Sequence, residues 1–242
     1  KNLFIYIFTT SLVYFKWRSV IRLSFMDTYL KIRALPKTVY FNFKYFNFWE
    51  AIKLPVFVSH TVLLKKSEGK VTIKNPSRFG VRIGFGNVGI FDRYRSRSIW
   101  ENSGHVVFTG NAEIGHGSKF AVEGLLEIGD NFAITAESAI VCHEYIKIGD
   151  DVLMSWDNLI MDTDFHKIRN GQGEVINHNR PVMIGNNVWV GCRCTILKGT
   201  IINDGNVIAA GSVVSGKQIS QNAIIGGNPL KVMRNNISWS MD

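Results

Sequence analysis

Ile184, Val190, Ile196, Ile202, Ile208 and Val214 recur at a strict spacing of six. Gly185, Gly191 and Ala209 follow three of them, and a small residue or valine stands four places on at Val188, Thr200 and Ser212. A helix repeats its apolar positions three and four apart, and a half-buried strand alternates them by two. One aliphatic residue in every six fits neither. It fits a solenoid in which three short strands make one coil, each sending one side chain inward, with glycine where the chain turns a corner. A single coil cannot bury its own apolar edge, so successive coils stack into a continuous core. The hexad commits the chain to an all-β solenoid.

The same count runs upstream through Phe108, Ile114 and Phe120, then Ile128, Ile134 and Ile140, then Ile148, Met154 and Ile160. The steps from Phe120 to Ile128 and from Ile140 to Ile148 are eight residues, which adds two residues at one corner without losing register. The third break is larger: MDTDFHKIRNGQGEVINHNRPVM separates Ile160 from Ile184. A loop at a solenoid corner is where function is expected. Ahead of the regular array, Lys65 to Phe91 reads as a first, irregular coil. The expected organisation is an N-terminal segment over 1–64, a solenoid over 65–225 with its loop at 161–183, and a tail over 226–242.

The N-terminal segment has its own composition. Asn2 to Phe15 is apolar and aromatic and is followed at once by Lys16, Trp17 and Arg18. That run is shorter than the roughly 20 residues a spanning helix needs, and no small-residue cleavage site follows it. Further on, Phe41, Phe43, Phe46, Phe48 and Trp49 interleave with Lys37, Lys44 and Lys53. Rings at headgroup depth with lysines on anionic lipid make one reading, a peripheral membrane contact. A helical cap packing its aromatics on the end of the solenoid makes the other. The two are compatible.

A net charge of +9 asks for an anionic partner, and the chain has no zinc finger, aromatic RNA-binding strand motif or basic heptad region, so nucleic acid is not expected. The three cysteines, Cys142, Cys192 and Cys194, form no oxidative framework and no zinc knuckle, which points to a reducing compartment.

The array, the DTDFH loop, IGNNVWVG, IAAGSVV and GGNPLKVMR together resemble the hexapeptide-repeat acyltransferases, most closely the branch that O-acetylates sugars and surface polysaccharides. The resemblance covers roughly residues 80 to 236. It implies a left-handed parallel β-helix, against the usual right-handed crossover, homotrimers with active sites in clefts between subunits, acetyl-coenzyme A as the donor, no metal, and a sugar or polysaccharide acceptor. It implies a cytoplasmic enzyme, at the inner face of the membrane if the N-terminal segment binds lipid.

The resemblance also implies roles for particular residues. His166 takes the place of the catalytic histidine, a base able to accept a hydroxyl proton near neutral pH. Asp162 and Asp164 flank it and either hold its tautomer or cap the turn, with Asp164 the expected orienting group. His143, three residues after Ile140 and one coil before the loop, is expected to face the same cleft, where relatives carry an acceptor-binding carboxylate. Thr135 falls where they carry an acceptor-binding asparagine, and Trp189 is expected to wall the cleft. The backbone N–H of Cys192 is the expected oxyanion donor. Backbone groups near Gly191 and Ala210 are expected along the pantetheine arm, and Ser215, Lys217, Lys231 and Arg234 at the nucleotide end, whose phosphates favour cations.

Three rivals have distinct signatures. A zinc lyase on the same solenoid would gather histidines from among His116, His143, His166 and His178. A non-catalytic scaffold would have no use for the loop histidine. A nucleotide-sugar N-acyltransferase would share every element but the acceptor.

Overall fold

The computed structural model describes residues 28–216 and 218–240. The run Asn2–Phe15 with Lys16–Arg18, and Lys217, lie outside the described residues.

The hexad behaves as its period requires. Ile184, Val190, Ile196, Ile202, Ile208 and Val214 are each at most 3% exposed. Ile184 stacks on Ile202, Val190 on Ile208 and Ile196 on Val214, so each coil repeats every third inward residue on the same wall. Three walls result, a nine-stranded sheet (wall one) and two seven-stranded sheets (walls two and three). The strands are parallel throughout except for the last pair. Upstream the inward column coarsens from isoleucine to ring, with Phe108 on Ile128 and Phe120 on Ile140, and Trp100 on Phe120.

The two-residue additions fall at a single corner, between walls two and three. They are Ser103–Gly104, Glu123–Gly124 and His143–Glu144, each lying between a wall-two strand and the wall-three strand that follows it. The long loop opens at the same corner, after Leu159–Met161 and before Val182–Ile184. Ile160 nevertheless pairs with Ile196 and Ile148 with Ile184, so the ladder closes across the insertion.

The start of the solenoid differs from the sequence expectation. Val56–Val58, Leu63–Ser67 and Lys70–Ile73 already form one complete coil, and Val81–Phe85, Ile99–Asn102 and His105–Phe108 form the second. The boundary at Lys65 therefore falls inside a strand, and Lys65–Phe91 spans parts of two coils. A second insertion, over 86–98, hides the period by parting Phe85 from Ile99 at the corner between walls one and two.

The helix over 28–45 (α1) and the short helix Phe48–Ala51 (α2) close the first coil. A first strand otherwise presents unpaired N–H and C=O groups. Asn42 answers this by donating to the carbonyl of Val56 (2.7 Å) while its own carbonyl accepts the Val56 N–H (3.1 Å). One turn earlier Thr38 does the same for Val58, accepting its N–H at 2.9 Å. Phe41, on the same face, meets Trp100 edge-on with centroids 5.4 Å apart, and the Trp100 indole donates to the Tyr45 hydroxyl at 2.9 Å. Burying a ring of that size contributes about 2–3 kcal/mol. Among the described residues of the N-terminal segment, α1 and α2 thus cap the first coil.

At the far end Lys231–Asn235 turns back antiparallel on Ala223–Gly226, and Trp239 donates to the carbonyl of Asn187 at 2.8 Å. Within the expected tail, Lys231–Asn235 is a closing strand.

Candidate active site

The loop at the corner between walls two and three is built on Asp162. Its buried carboxylate accepts the backbone N–H groups of His143 (2.7 Å), Glu144 (2.8 Å) and Tyr145 (2.8 Å), tying the root of the loop to the turn one coil before. Of the two roles open to Asp162, this is the turn cap. Burial and the neighbouring Asp162 push the Cys142 thiol up to about 12, so it stays protonated.

Beyond the root, the loop supports itself. Asn177 accepts the Ile168 N–H at 2.7 Å, Ile176 donates to Ile168 at 2.9 Å, and Asn170 accepts the N–H groups of Gln172 and Glu174. Phe165 holds φ at +59°, a left-handed conformation costly for a side-chain-bearing residue. That kink brings the His166 N–H to the Asp164 carbonyl at 2.6 Å and leaves the imidazole exposed.

Asp164 does not act on the imidazole directly in this arrangement. Its carboxylate accepts from Lys198 and from Asn177 (2.9 Å), and Asn177 also donates to the His166 carbonyl at 2.7 Å. Those hydrogen bonds, from Lys198 and then Asn177, hold the Asp164 carboxyl below its ordinary range. Asp164 is connected to His166 through the loop backbone, by way of Asn177.

His143 and the loop do meet. The Phe165 ring stands edge-on to the His143 ring at 5.5 Å, and His143 Nε2 lies 3.2 Å from a carboxylate oxygen of Glu123. Arg180 lies over Gly199, whose φ of +74° suits glycine, and a Cβ there would come within 2.8 Å of its Cζ. Glu123, Asn177, Arg180 and Lys198 were not singled out from the sequence. Coil register could have found two of them: Val122 pairs with Cys142, which puts Glu123 beside His143, and Ile160 pairs with Ile196, which puts Lys198 beside Asp162.

Other expected site residues lie on the adjacent corner, between walls one and two. Thr135, Gly191, Cys192 and Ala210 form a column there, with Thr135 N–H bonded to Met154 and Cys192 C=O to Gly211. The Gly191 backbone passes so close to the next turn that a Cβ would sit 2.7 Å from Ala210 N. Gly191 spends its N–H on Ile208, whereas the N–H groups of Cys192 and Ala210 have no acceptor among the described residues. The Thr135 hydroxyl is buried without a partner. Trp189 sits on wall one beside Trp239, centroids 6.0 Å apart, with its indole donating to Ser155 at 3.3 Å. Ser215 is exposed at the loop corner two coils on, and Lys231 and Arg234 are exposed on the closing strand. Within one chain, then, His143 and Thr135 do not share a corner.

The histidines of the rival metal site are likewise dispersed. His116 is buried at the corner between walls one and two with neither ring nitrogen partnered, while His143 and His166 stand at the next corner. Among the described residues no three His, Cys, Asp or Glu side chains gather as a metal ion requires.

Comparison with known proteins supports the repeat. Residues 181–216 match the family described as bacterial transferase hexapeptide (six repeats). The chain is 30% identical over 145 residues to the putative lipopolysaccharide biosynthesis O-acetyl transferase WbbJ of Escherichia coli K12, covering 55% of the chain and 73% of that protein. It belongs to the hexapeptide-repeat transferase family.

As a hexapeptide-repeat transferase it is a left-handed parallel β-helix, the hand implied by the resemblance. It is also 36% identical over 112 residues to galactoside O-acetyltransferase of Escherichia coli K12, covering 45% of the chain and 53% of that protein. A solved structure titled galactoside acetyltransferase in complex with coenzyme A is 30% identical, covers 54% of this chain and 64% of its own, and superposes with a TM-score of 0.47. The chain spans about half the length of the first curated relatives it matches, between 40% and 54%.

Proposed function

We propose that the protein is an acetyltransferase, moving the acetyl group of acetyl-coenzyme A to a sugar hydroxyl in the building of a surface polysaccharide such as capsule, exopolysaccharide or O-antigen. The observation that carries this reading is the loop corner. It exposes His166 on a backbone pinned by Asp164 and Asn177, beside His143 and its Glu123 partner. The names of the relatives, a galactoside O-acetyltransferase and a lipopolysaccharide O-acetyl transferase, support it.

In this reading His166 accepts the acceptor's hydroxyl proton as the oxygen attacks the thioester carbonyl carbon. The carbonyl oxygen takes the displaced electron pair and needs preorganised donors. The N–H groups of Cys192 and Ala210, which have no acceptor among the described residues, fit that need and that of the pantetheine amides beyond Gly191. The C–S bond then breaks and the sulfur leaves with the proton held by His166. Ser215, Lys217, Lys231 and Arg234 serve the nucleotide phosphates, and His143, Thr135 and Trp189 the acceptor.

The base and the donors occupy different corners of one chain, so the complete site lies between copies, the loop of one against the corner of the next, in a homotrimer. Phe165, Ile168 and Ile176 leave apolar surface on the loop, each at least 55% exposed, of the kind a neighbour covers. The trimer works at the inner face of a membrane.

Acetyl transfer from acetyl-coenzyme A to a panel of sugar hydroxyls tests the activity. His166→Ala should lower it by about 10²–10⁴ with the oligomer intact. Activity within a few-fold of the parent would remove His166 from the reaction.

A further inference from the structure

The cap buries only part of its apolar surface. Ala34, Thr38, Phe41 and Asn42 are buried against the first coil. Beside that face of α1, Ile32, Leu35, Val39 and Phe43 follow at helical spacing and are all exposed. Phe48 and Trp49 of α2 extend the exposed surface at 59% and 72% exposure. Apolar groups that continue past the buried face of a surface helix are more than the solenoid end needs.

Charge surrounds this face. A cavity of about 290 Å³ between α1, the first corner and the second coil is lined by Lys31, His60, Arg82 and Arg93, with no acidic side chain in its wall, while Arg82 also pairs outside it with Glu113 at 2.6 Å. Lys31 has no ion-pair partner among the described residues, and His60 Nδ1 is buried without a hydrogen-bond partner. Next to it runs an apolar groove of about 550 Å³ over Leu35, Phe57 and Phe79, and the two share Lys31 and Arg82 as a common wall. Arg33 flanks the stripe, stacked over Tyr29 at 5.5 Å. A cationic cavity opening into an apolar groove matches a phosphate carried on a hydrocarbon chain.

We propose that the cap end of the solenoid docks on an anionic phospholipid surface, with the stripe of α1 and Trp49 at the headgroup–acyl boundary and a lipid phosphate in the Lys31–His60–Arg82–Arg93 cavity. This deepens the membrane placement proposed above and rests on that placement, not on the acetyl-transfer chemistry. No helix among the described residues is long and apolar enough to span, and the contact proposed for α1 and α2 is an interfacial one. Aromatic rings sit at that depth, and each nearby cation contributes about fivefold to partitioning onto anionic lipid.

The test uses the full chain with phosphatidylcholine vesicles, with and without phosphatidylglycerol. The protein should sediment with the anionic vesicles and be released by high salt, since the charge contribution is screened. Lys31→Gln with Arg33→Gln should weaken the partition about twentyfold, at an unchanged thermal midpoint and unchanged acetyl transfer to a free sugar. Lipids brominated on the acyl chain should quench fluorescence in the parent, and less in Trp49→Phe, a readout that needs no loss of binding. Three results would overturn the proposal. The first is no partition onto anionic vesicles. The second is variants that bind and quench as the parent does, which would assign the contact to residues 1–27. The third is a change of oligomeric state in Ile32→Asp with vesicle binding intact, which would make the stripe a contact between copies.

Discussion

At the residue scale, the site separates groups by what burial does to them. Cys142 is buried with its thiol held near 12, and burial raises Cys194 as well, while Cys192 is partly exposed at its corner. Thiolate, not thiol, reacts with alkylating agents. Iodoacetamide at neutral pH should therefore modify Cys192 alone in the folded protein, as peptide mass spectrometry would show. Because the role proposed for Cys192 belongs to its backbone N–H, Cys192→Ala should keep acetyl transfer within a few-fold. Asp164 gives a pH dependence. Its folded pKa lies below the unfolded value of about 3.9, so the clamp with Lys198 and Asn177 contributes above about pH 4 and is lost as pH falls through the lower, folded value. Hydrogen-exchange protection over 165–177 should fall only in acid. In Lys198→Met it should already be low at pH 7, and equal protection in parent and variant would dismiss the clamp.

At the element scale, the cap explains why the first coil needs a helix of unusual composition. Thr38 and Asn42 stand one helical turn apart, and the strand residues they serve, Val56 and Val58, alternate at the strand period, so one helix face meets every second strand residue. Replacing Asn42 with leucine strands the Val56 N–H and C=O in a dry interface. Each unsatisfied group costs about 1–3 kcal/mol. Urea unfolding should show a loss of about 2–5 kcal/mol, and the Val56 amide should lose its exchange protection first. The loop is a second element with a single root: the coil pairing passes beneath it from Ile160 to Ile196 unbroken, so its length is free to vary while the solenoid stays in register.

At the scale of the whole molecule, a straight three-walled prism holds residues of one corner in a column and keeps different corners apart. His166 and Cys192 belong to different columns, and no bending of the ladder brings them together within a chain. The trimeric reading has a direct consequence. Mixing His166→Ala chains with Cys192→Trp chains, each inactive alone, should restore activity in re-formed oligomers towards about a quarter of the parental level, the fraction of interfaces pairing an intact loop with an intact corner. No recovery, with mixed oligomers verified by mass spectrometry, would place the site within one chain.

The sequence by itself determined the solenoid, its inward column, the position of the loop and the residues at its tip. A period of six is a local regularity, and every deviation from it marks a corner where backbone leaves the ladder. Tertiary structure alone decided the rest. The first coil begins at Val56, because the pairing of Val56 with Val81 bridges residues that no short period links. The 86–98 insertion conceals the second coil for the same reason. Asp162 caps a turn and Asp164 pins a loop, although both precede His166 in the same five residues, because one side chain points into the stack and the other toward Lys198. His143 and Thr135, eight residues apart, face different corners because a whole wall lies between them. Spacing along the chain reveals the coil; only the folded prism shows which corners, and which copies, meet.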